Sequence, residues 1–155
     1  MSARAAWARA GLVLGVVLLA DQLAKALVTA SLRRGERDAV FVGIELVNVR
    51  NSGVAFGALQ DGGTIIAVVI VLAIAALLAY FARNARRPWA WLATGLLLGG
   101  ALGNAVDRLR EGAVIDFVKL PLWPAFNLAD VAITAGVLAL LLVIERGDDG
   151  ARGRA

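Results

Sequence analysis

Hydrophobic residues fall into four long runs that are separated by shorter polar segments. The runs cover residues 10–32, 64–82, 89–106 and 125–144. An α-helix needs roughly 20 residues to cross the hydrocarbon core of a bilayer, which is about 30 Å thick. The pattern therefore predicts four transmembrane helices. The second run contains no charged residue and is the most regular of the four.

The polar segment between the first two runs has a different pattern. Residues 40–49 are rich in β-branched and aromatic side chains and alternate in part between apolar and polar positions, which is typical of strands. Asn51-Ser52-Gly53 then indicates a turn. We expect a mainly α, polytopic membrane protein that forms a single domain over residues 1–155, with a small extracytoplasmic β-rich domain at about 39–57 and a flexible tail at 146–155.

Composition agrees with a membrane protein and removes several kinds of chemistry. Hydrophobic residues make up 60% of the 155 positions, against about half in soluble domains. The net charge of +4 comes from basic residues that flank the apolar runs, so no basic face for nucleic acid is predicted. The chain has no histidine and no cysteine, which excludes a Ser-His-Asp triad, a thiolate nucleophile and zinc sites built from these residues. We expect no metal and no cofactor.

The distribution of arginine predicts the orientation. The segment 82–88 between the second and third runs contains Arg83, Arg86 and Arg87 and no acidic residue, and short loops rich in Lys and Arg stay in the cytoplasm. Four spans then place both termini in the cytoplasm. The loops at 33–63 and 107–124 lie on the outer side, where the polar candidate residues gather.

An alternative for the first run is a cleaved signal peptide. Arg4 and Arg9 precede the apolar stretch, and residues 28–30 loosely resemble a small-residue cleavage site. Asp21 and Lys25 inside the run, together with the later spans, favour a retained helix.

Asp116 and Asp130 are acidic residues inside apolar surroundings, with no obvious counter-ion beside them. A carboxylate in hydrocarbon is costly, so such groups face a protein interior or a wet cavity, and function is the first hypothesis. One straight helix would separate them by about 21 Å. Pro121 and Pro124 lie between them, however, and prevent a regular helix. A reversal there predicts a shared carboxylate site, in which one pKa rises and a proton is shared. Two unrelated loop and cap aspartates remain the alternative.

Other polar residues have helical spacings. Asp21 and Lys25 lie four residues apart and can pair on one face, either as a neutralised pair inside the bundle or as a support for a site. Asn104 and Asp107 lie three apart, and we expect Arg108 and Arg110 to keep Asp107 ionised. The small residues at 99–103 favour close helix packing.

These residues together resemble the lipoprotein signal peptidase (signal peptidase II) family. The resemblance covers about residues 10–144. It rests on five short motifs in the family's order: Asp21-x-x-x-Lys25, Asn51-x-Gly53-x-Ala55-Phe56-Gly57, Gly103-Asn104-x-x-Asp107-Arg108, Val114-x-Asp116-Phe117 and Phe126-Asn127-x-Ala129-Asp130. Each motif alone is weak, whereas five in order are specific. The segment 117–129 is short against the family.

The resemblance implies an aspartyl endopeptidase of the bacterial inner membrane. It would cleave signal peptides from diacylglyceryl-modified prolipoproteins, N-terminal to the lipidated cysteine. Separately, we expect a monomer, and the arginine distribution places the active site at the outer face. The resemblance implies that Asp116 and Asp130 are the catalytic pair. It also implies substrate-binding or supporting residues, which are Asp21, Lys25, Asn51, Gly53, Asn104, Asp107, Arg108 and Asn127. The partners would be prolipoproteins and membrane lipid.

Two other classes of function remain open from the residues alone. The acidic residues could form the pathway of a small transporter or channel. The polar residues could also serve only to pack the helices of a non-catalytic membrane scaffold.

Overall fold

The computed structural model describes residues 1–52 and 62–152, with side chains at 62–64, 66 and 147–152 left aside. Within these ranges the chain forms four helices and three strands, and most of its residues are helical. In chain order they are α1 (Ala3–Ser31), β1 (Arg37–Phe41), β2 (Ile44–Asn51), α2 (Gly62–Asn84), α3 (Ala90–Glu111), β3 (Val114–Lys119) and α4 (Leu128–Arg152).

Three of the helices are long and apolar enough to cross a membrane, namely α1, the Ala67–Asn84 part of α2 and the Leu128–Arg146 part of α4. The third predicted span is also helical, as α3, but it does not meet the same hydropathy criterion. Its glycines and its polar last turns lower the mean hydropathy. The polar side chains Asn104 and Asp107 are buried in the protein, so the lower hydropathy reflects a helix that faces other helices.

Close packing around α3 depends on glycine, as the small-residue stretch predicts. A Cβ added to Gly99 would lie 2.7 Å from Val17 Cβ on α1, and one added to Gly100 would lie 2.5 Å from the backbone oxygen of Ala129 on α4. Both distances are far below van der Waals contact. The helix α3 therefore lies directly against α1 and α4 and brings their backbones close to its polar end.

The three strands form one antiparallel sheet in the order β1-β2-β3. The predicted β-rich loop supplies β1 and β2, and the part of the prediction at 53–57 lies outside the described residues. The strand β3 was not predicted, because its sequence lies within an apolar stretch that resembles a buried segment of any kind. In the register of this sheet, Asp116 lies opposite Val49 and Asn51 lies opposite Val114.

The start of α4 differs from the predicted span by three residues. The helix begins at Leu128, after the segment that contains Pro121 and Pro124, and it continues to Arg152. The tail predicted to be flexible from residue 146 is thus helical as far as Arg152, and 153–155 lie outside the described residues. No proline follows Pro124, so no residue of the tail blocks continuation of the helix.

The helix ends that lie away from the sheet share a compact apolar core. Its members are Ala6, Ala10, Phe81, Ala85, Ala90 and Val143, which come from all four helices and the α2–α3 turn. Trp7 packs edge-on against Phe81, with ring centroids 4.7 Å apart. This core fixes one end of the bundle, while the sheet and the polar residues occupy the other.

Candidate active site

Asp116 and Asp130 converge on one side chain, Asn127. Asn127 Nδ2 donates to Asp116 Oδ1 at 2.8 Å, and Asn127 Oδ1 accepts the backbone N–H of Asp130 at 2.9 Å. Asp116 lies in β3 and Asp130 in the first turn of α4. The predicted reversal between them is therefore present, and Asn127 joins its two ends.

Asp130 belongs to a capping box at the N-terminus of α4. Asn127 precedes the first helical residue, and its backbone N–H donates to Asp130 Oδ2 at 3.2 Å. Together with the bond from Asp130 N to the Asn127 side chain, this is the reciprocal pattern that satisfies free N–H groups at a helix start. The positive end of the helix also favours a carboxylate in its first turn. The capping role thus also explains why an acidic residue occupies the third position of α4.

Asp116 is almost completely buried, with 2% of its surface exposed. Asn51 Nδ2 donates to its second oxygen, Oδ2, at 2.9 Å. Burial raises the pKa of the Asp116 carboxyl above its ordinary value, and the nearby Asp130 carboxylate adds to the rise. The hydrogen bonds from Asn51 and Asn127 and the charge of Lys25 act in the opposite direction without cancelling it.

A buried cluster of charged residues lies beneath the two aspartates. Lys25 Nζ lies 2.7 Å from Asp21 Oδ2 and 2.7 Å from Asp107 Oδ2. All three side chains are at most 3% exposed. The predicted pairing of Asp21 with Lys25 is thus confirmed. The two carboxylates compensate part of the hydration that the buried ammonium group of Lys25 loses.

The two carboxylates of this cluster also accept hydrogen bonds from the backbone of the site. Asp21 Oδ1 accepts the N–H of Ala129, at the start of α4, at 2.9 Å. Asp107 Oδ2 accepts the N–H of Ile115, next to Asp116, at 3.0 Å. The cluster therefore fixes the backbone on both sides of the aspartate pair, and removal of one charge would disturb both.

Asn104 connects the lysine cluster to the aspartate pair. Asn104 Oδ1 accepts from Lys25 Nζ at 3.2 Å and from Asn127 Nδ2 at 3.0 Å, and Asn104 Nδ2 donates to Asp130 Oδ1 at 2.8 Å. Both polar atoms of this buried side chain form hydrogen bonds. Its orientation is consequently fixed by a donor on one side and an acceptor on the other.

The prediction that Arg108 and Arg110 are the charged partners of Asp107 is wrong. The partner of Asp107 is Lys25, and Arg108 NH1 instead donates to the backbone oxygen of Asn104 at 3.4 Å. Neighbouring residues on a helix point in directions about 100° apart, so Arg108 faces away from Asp107. The Arg108 Nε is buried and has no hydrogen-bond partner among the described residues.

Sequence reasoning missed Gln22. Its Nε2 donates to Asp107 Oδ1 at 2.9 Å and to the backbone oxygen of Gly103 at 3.2 Å. Gln22 lies three residues before Lys25 and so shares its face of α1, which is the signal that could have identified it. A second missed group is formed by Asn48, Arg50 and Glu111, where Arg50 bonds both other side chains at 2.5–2.6 Å and joins β2 to the end of α3.

An apolar groove of about 370 Å³ begins beside Asp130 and runs along α4. Its walls are mostly hydrophobic, and its lining residues are Leu120, Trp123, Phe126, Asp130, Val131, Thr134, Ala135 and Leu138. Asp130 is the only charged residue in this lining. The groove thus leads from a lipid-facing helix surface to one member of the pair.

The predicted site residues that fall within the described parts of the chain form one connected set. They are Asp21, Lys25, Asn51, Asn104, Asp107, Arg108, Asp116, Asn127 and Asp130, whereas Gly53 lies outside the described residues. Within 1–52 and 62–152, no group of three or more acidic side chains is arranged to hold a metal ion. Two carboxylates on a common hydrogen-bonded frame, one with a raised pKa, can supply a general acid and a general base.

Comparisons with known proteins identify the family of this chain. A family model described as signal peptidase (SPase) II matches residues 13–145. The chain is 42% identical to the lipoprotein signal peptidase of Syntrophomonas wolfei, over 83% of this chain and 87% of that one, and 41% identical to that of Moorella thermoacetica, over 87% and 93%.

The fold is also similar to a solved structure, a bacterial membrane enzyme determined by the in meso method at 1.9 Å resolution. The TM-score is 0.81, with 28% sequence identity, over 87% of this chain and 91% of that chain. The sequence match at 13–145 includes the described members of the polar cluster. The chain belongs to the signal peptidase II family.

Proposed function

We propose that this protein is an aspartyl endopeptidase that removes the signal peptide from lipid-modified prolipoproteins. Its relatives carry the name lipoprotein signal peptidase, and the family to which it belongs is a family of peptidases. The cleaved bond would lie N-terminal to a cysteine that bears diacylglycerol. The aspartyl mechanism, the catalytic residues and the orientation are parts of this proposal.

One observation carries the mechanism, which is the attachment of Asp116 and Asp130 to the same Asn127 side chain. The Asn127 side chain donates to the Asp116 carboxyl and the Asn127 backbone N–H donates to the Asp130 carboxyl, so one residue fixes the two carboxyl groups relative to one another without a cation. Such pairs activate water with one member and protonate the substrate with the other. The chain has no cysteine and no histidine, so within this sequence two aspartates are the groups best suited to that chemistry.

The different burial of the two aspartates suggests their roles. Asp116 is 2% exposed, whereas Asp130 is only partly buried and lines the groove. Each accepts two hydrogen bonds from amide donors, so burial is the main difference between them. Because burial disfavours the charged form, Asp116 holds the shared proton in the resting site and Asp130 is the carboxylate that activates water.

In the first step, the water oxygen attacks the scissile carbonyl carbon while Asp130 takes a proton from that water. Asp116 donates its proton to the carbonyl oxygen, which gives a neutral tetrahedral intermediate. Collapse of the intermediate breaks the C–N bond as Asp130 gives its proton to the leaving nitrogen. Asp116 takes a proton from one hydroxyl group of the intermediate, which gives the carboxylic acid product and restores the resting pair. Amide side chains and backbone N–H groups near the pair stabilise the partial negative charge that develops on the carbonyl oxygen before the proton transfer from Asp116 is complete.

The groove beside Asp130 explains why the substrate would carry lipid. Its apolar lining extends along α4, which is one of the candidate membrane spans. Acyl chains could remain in hydrocarbon there while the peptide bond reaches Asp130 at the helix start. A soluble peptide would lack this binding energy, so lipidation would contribute to selectivity.

The proposal includes four spans, with α3 as the third, in the bacterial inner membrane. The arginines in the α2–α3 turn are expected to remain cytoplasmic. The sheet and the aspartate pair would then lie at the outer boundary of the membrane, where a prolipoprotein anchored in the outer leaflet could reach them. The chain would act as a monomer.

The transporter alternative finds less support in the structure. A conduction path needs polar groups through the depth of the membrane, whereas Asp21, Lys25, Asp107, Asp116 and Asp130 all lie in one connected cluster near the sheet. The apolar core at the other end contains no described polar member. A peptidase accounts for this one-sided arrangement.

The proposed function is tested with the purified protein and two synthetic peptides that differ only in diacylation of the cysteine. We expect a single cleavage before the cysteine in the lipidated peptide, no loss of rate in EDTA, and far slower cleavage of the unmodified peptide. Equal rates for both peptides would contradict the lipid requirement. Loss of activity in EDTA and recovery with zinc would contradict the two-carboxylate mechanism.

A further inference from the structure

A second cavity lies at the opposite end of the bundle from the aspartate pair. It has a volume of about 410 Å³ and lies between the start of α3 and the later turns of α4. Its lining residues are Arg87, Pro88, Trp89, Leu92, Ala139, Leu142, Val143 and Arg146. This volume falls within the range of small-molecule sites, and the proposed peptidase reaction does not use it.

The cavity is amphipathic along its length. Leu92, Ala139 and Leu142 form an apolar wall that runs toward the middle of the helices, whereas Arg87 and Arg146 lie at the end near the α2–α3 turn. Neither arginine forms an ion pair with a carboxylate among the described residues. Two guanidinium groups above an apolar wall match a ligand that has an anionic head and a hydrocarbon body.

The backbone near the mouth of the cavity has an unusual conformation. Trp89 has a φ of 65°, in the left-handed region that non-glycine residues rarely adopt. Trp89 is 54% exposed and stacks on Trp91, with ring centroids 6.4 Å apart, and Arg9 lies 5.6 Å over the Trp91 ring. Tryptophan is enriched where a bilayer meets water, because its ring is apolar and its N–H is polar. Trp89 at the cavity mouth is thus a residue of the type favoured at the level of lipid headgroups.

The start of α3 strengthens the positive potential at the same place. This helix has no acidic residue in its first turn and no side-chain hydrogen bond at its N-cap, Trp89. The N-terminus of a helix carries a partial positive charge. At the start of α3 this partial charge adds to the positive potential of Arg87 and Arg146.

We propose that this cavity binds an anionic phospholipid of the leaflet on the side of the α2–α3 turn. The phosphate would contact Arg87 and Arg146, and one acyl chain would lie along Leu92, Ala139 and Leu142. Basic pockets between membrane helices on the cytoplasmic side bind anionic headgroups in this way. The bound lipid would join α3 to α4 at the end opposite the aspartate pair and set the depth of the bundle in the membrane. This site is distinct from the groove for the substrate.

The test measures lipid retained by the full chain in detergent micelles, with native mass spectrometry as the readout. Phosphatidylglycerol and phosphatidylcholine with identical acyl chains are the probes. We expect phosphatidylglycerol to be retained in about one copy and phosphatidylcholine much less. Arg87→Gln with Arg146→Gln should lower the retention of phosphatidylglycerol by about tenfold to thirtyfold.

A matched control separates a built site from a general attraction of charges. Arg83→Gln with Arg86→Gln removes the same amount of charge from the same end of the bundle, but neither residue lines the cavity. This control should change retention by about twofold at most. Ala139→Phe leaves every arginine in place and fills the cavity, and it should also abolish retention. Circular dichroism would verify the fold of each variant.

Three results would overturn the proposal. Equal losses in the two arginine pairs would show that only diffuse charge attracts the lipid, and full retention by Ala139→Phe would show that the cavity holds no chain. Displacement of the lipid by millimolar glycerol phosphate alone would show that the site recognises a free phosphate. The aspartate pair is unchanged in all these variants, so failure here would leave the proposed peptidase function intact.

Discussion

Asn127 donates a hydrogen bond of 2.8 Å to Asp116 across a reversal of the chain that contains two prolines. The same amide accepts the N–H of Asp130 and thereby caps α4. A single side chain therefore has two separable roles, one in the stability of a helix and the other in the position of a carboxyl group. Different substitutions can remove one role without the other.

Asn127→Ser should retain the cap and lose the bond to Asp116, since serine is about as good an N-cap as asparagine. We expect a smaller loss of thermal stability than in Asn127→Ala and a fall of more than tenfold in kcat for the lipidated peptide. Asn127→Ala should lose both roles and also lower the stability by about 1 kcal/mol or more. Full activity in Asn127→Ser would show that the amide bridge does not position Asp116.

Lys25→Met should strongly destabilise the protein. It leaves Asp21 and Asp107 as buried carboxylates without their cation, and breaking a buried pair costs about 3–5 kcal/mol. Lys25→Met combined with Asp107→Asn should recover part of this loss, because one of the uncompensated charges is then gone. Unfolding in detergent with chemical denaturant would measure both.

The exposed pair Arg37–Glu45 is the control for Lys25. Its side chains are 65% and 43% exposed and lie 3.8 Å apart, so Arg37→Gln should cost less than about 1 kcal/mol. Equal effects of Lys25→Met and Arg37→Gln would contradict the central position of Lys25 in the cluster.

The raised pKa of Asp116 predicts a specific pH dependence of stability. The folded protein keeps the Asp116 proton at pH values where the unfolded chain has lost it, so this carboxyl contributes stability below its ordinary pKa. That contribution disappears as the pH rises through the raised pKa. The parent should therefore lose stability over this range of pH.

Asp116→Asn should lack this part of the pH dependence. The new side-chain NH2 group of the variant would face the NH2 group of Asn51 or Asn127, and two donors cannot bond each other. A loss of stability that does not depend on pH is therefore also expected. The diagnostic quantity is consequently the slope of Tm against pH and not its offset. Asp38→Asn, at an exposed position of β1, should keep the slope of the parent, and an unchanged slope in Asp116→Asn would contradict the burial argument.

Membrane orientation can be measured directly, because the chain contains no natural cysteine. Single cysteines at the exposed positions Arg110 and Glu145 lie at opposite ends of the bundle. A membrane-impermeant maleimide should label Arg110→Cys in intact spheroplasts and should label Glu145→Cys only after permeabilisation. The reverse pattern would place the aspartate pair in the cytoplasm.

The sequence predicted the parts of this site that depend on local chemistry. The two prolines required a reversal between Asp116 and Asp130, and the four-residue spacing of Asp21 and Lys25 required a common helix face. The partner of Asp107 was predicted wrongly, because it depends on the register between α1 and α3, which no local pattern specifies. Gln22 was missed for the same reason, since its acceptors lie on another helix.

Two features of the fold were hidden by composition. The strand β3 is a short apolar run, and such a run is compatible with strand or helix until its partner strand is known. The polar end of α3 lowers its hydropathy because Asn104 and Asp107 face protein and not lipid. Tertiary contacts therefore decide both features. Pairing with β2 makes β3 a strand, and packing against other helices buries the polar end of α3.

The central claim is that Asp116 and Asp130 together cleave the peptide bond. Single-turnover cleavage of a diacylglyceryl lipobox peptide by the purified protein and its variants tests it most directly. Asp116→Asn and Asp130→Asn should each lower the rate by about 10²–10⁴-fold, while Asp38→Asn should match the parent and all three variants should remain folded. Turnover near the parent rate by either dyad variant would contradict the account.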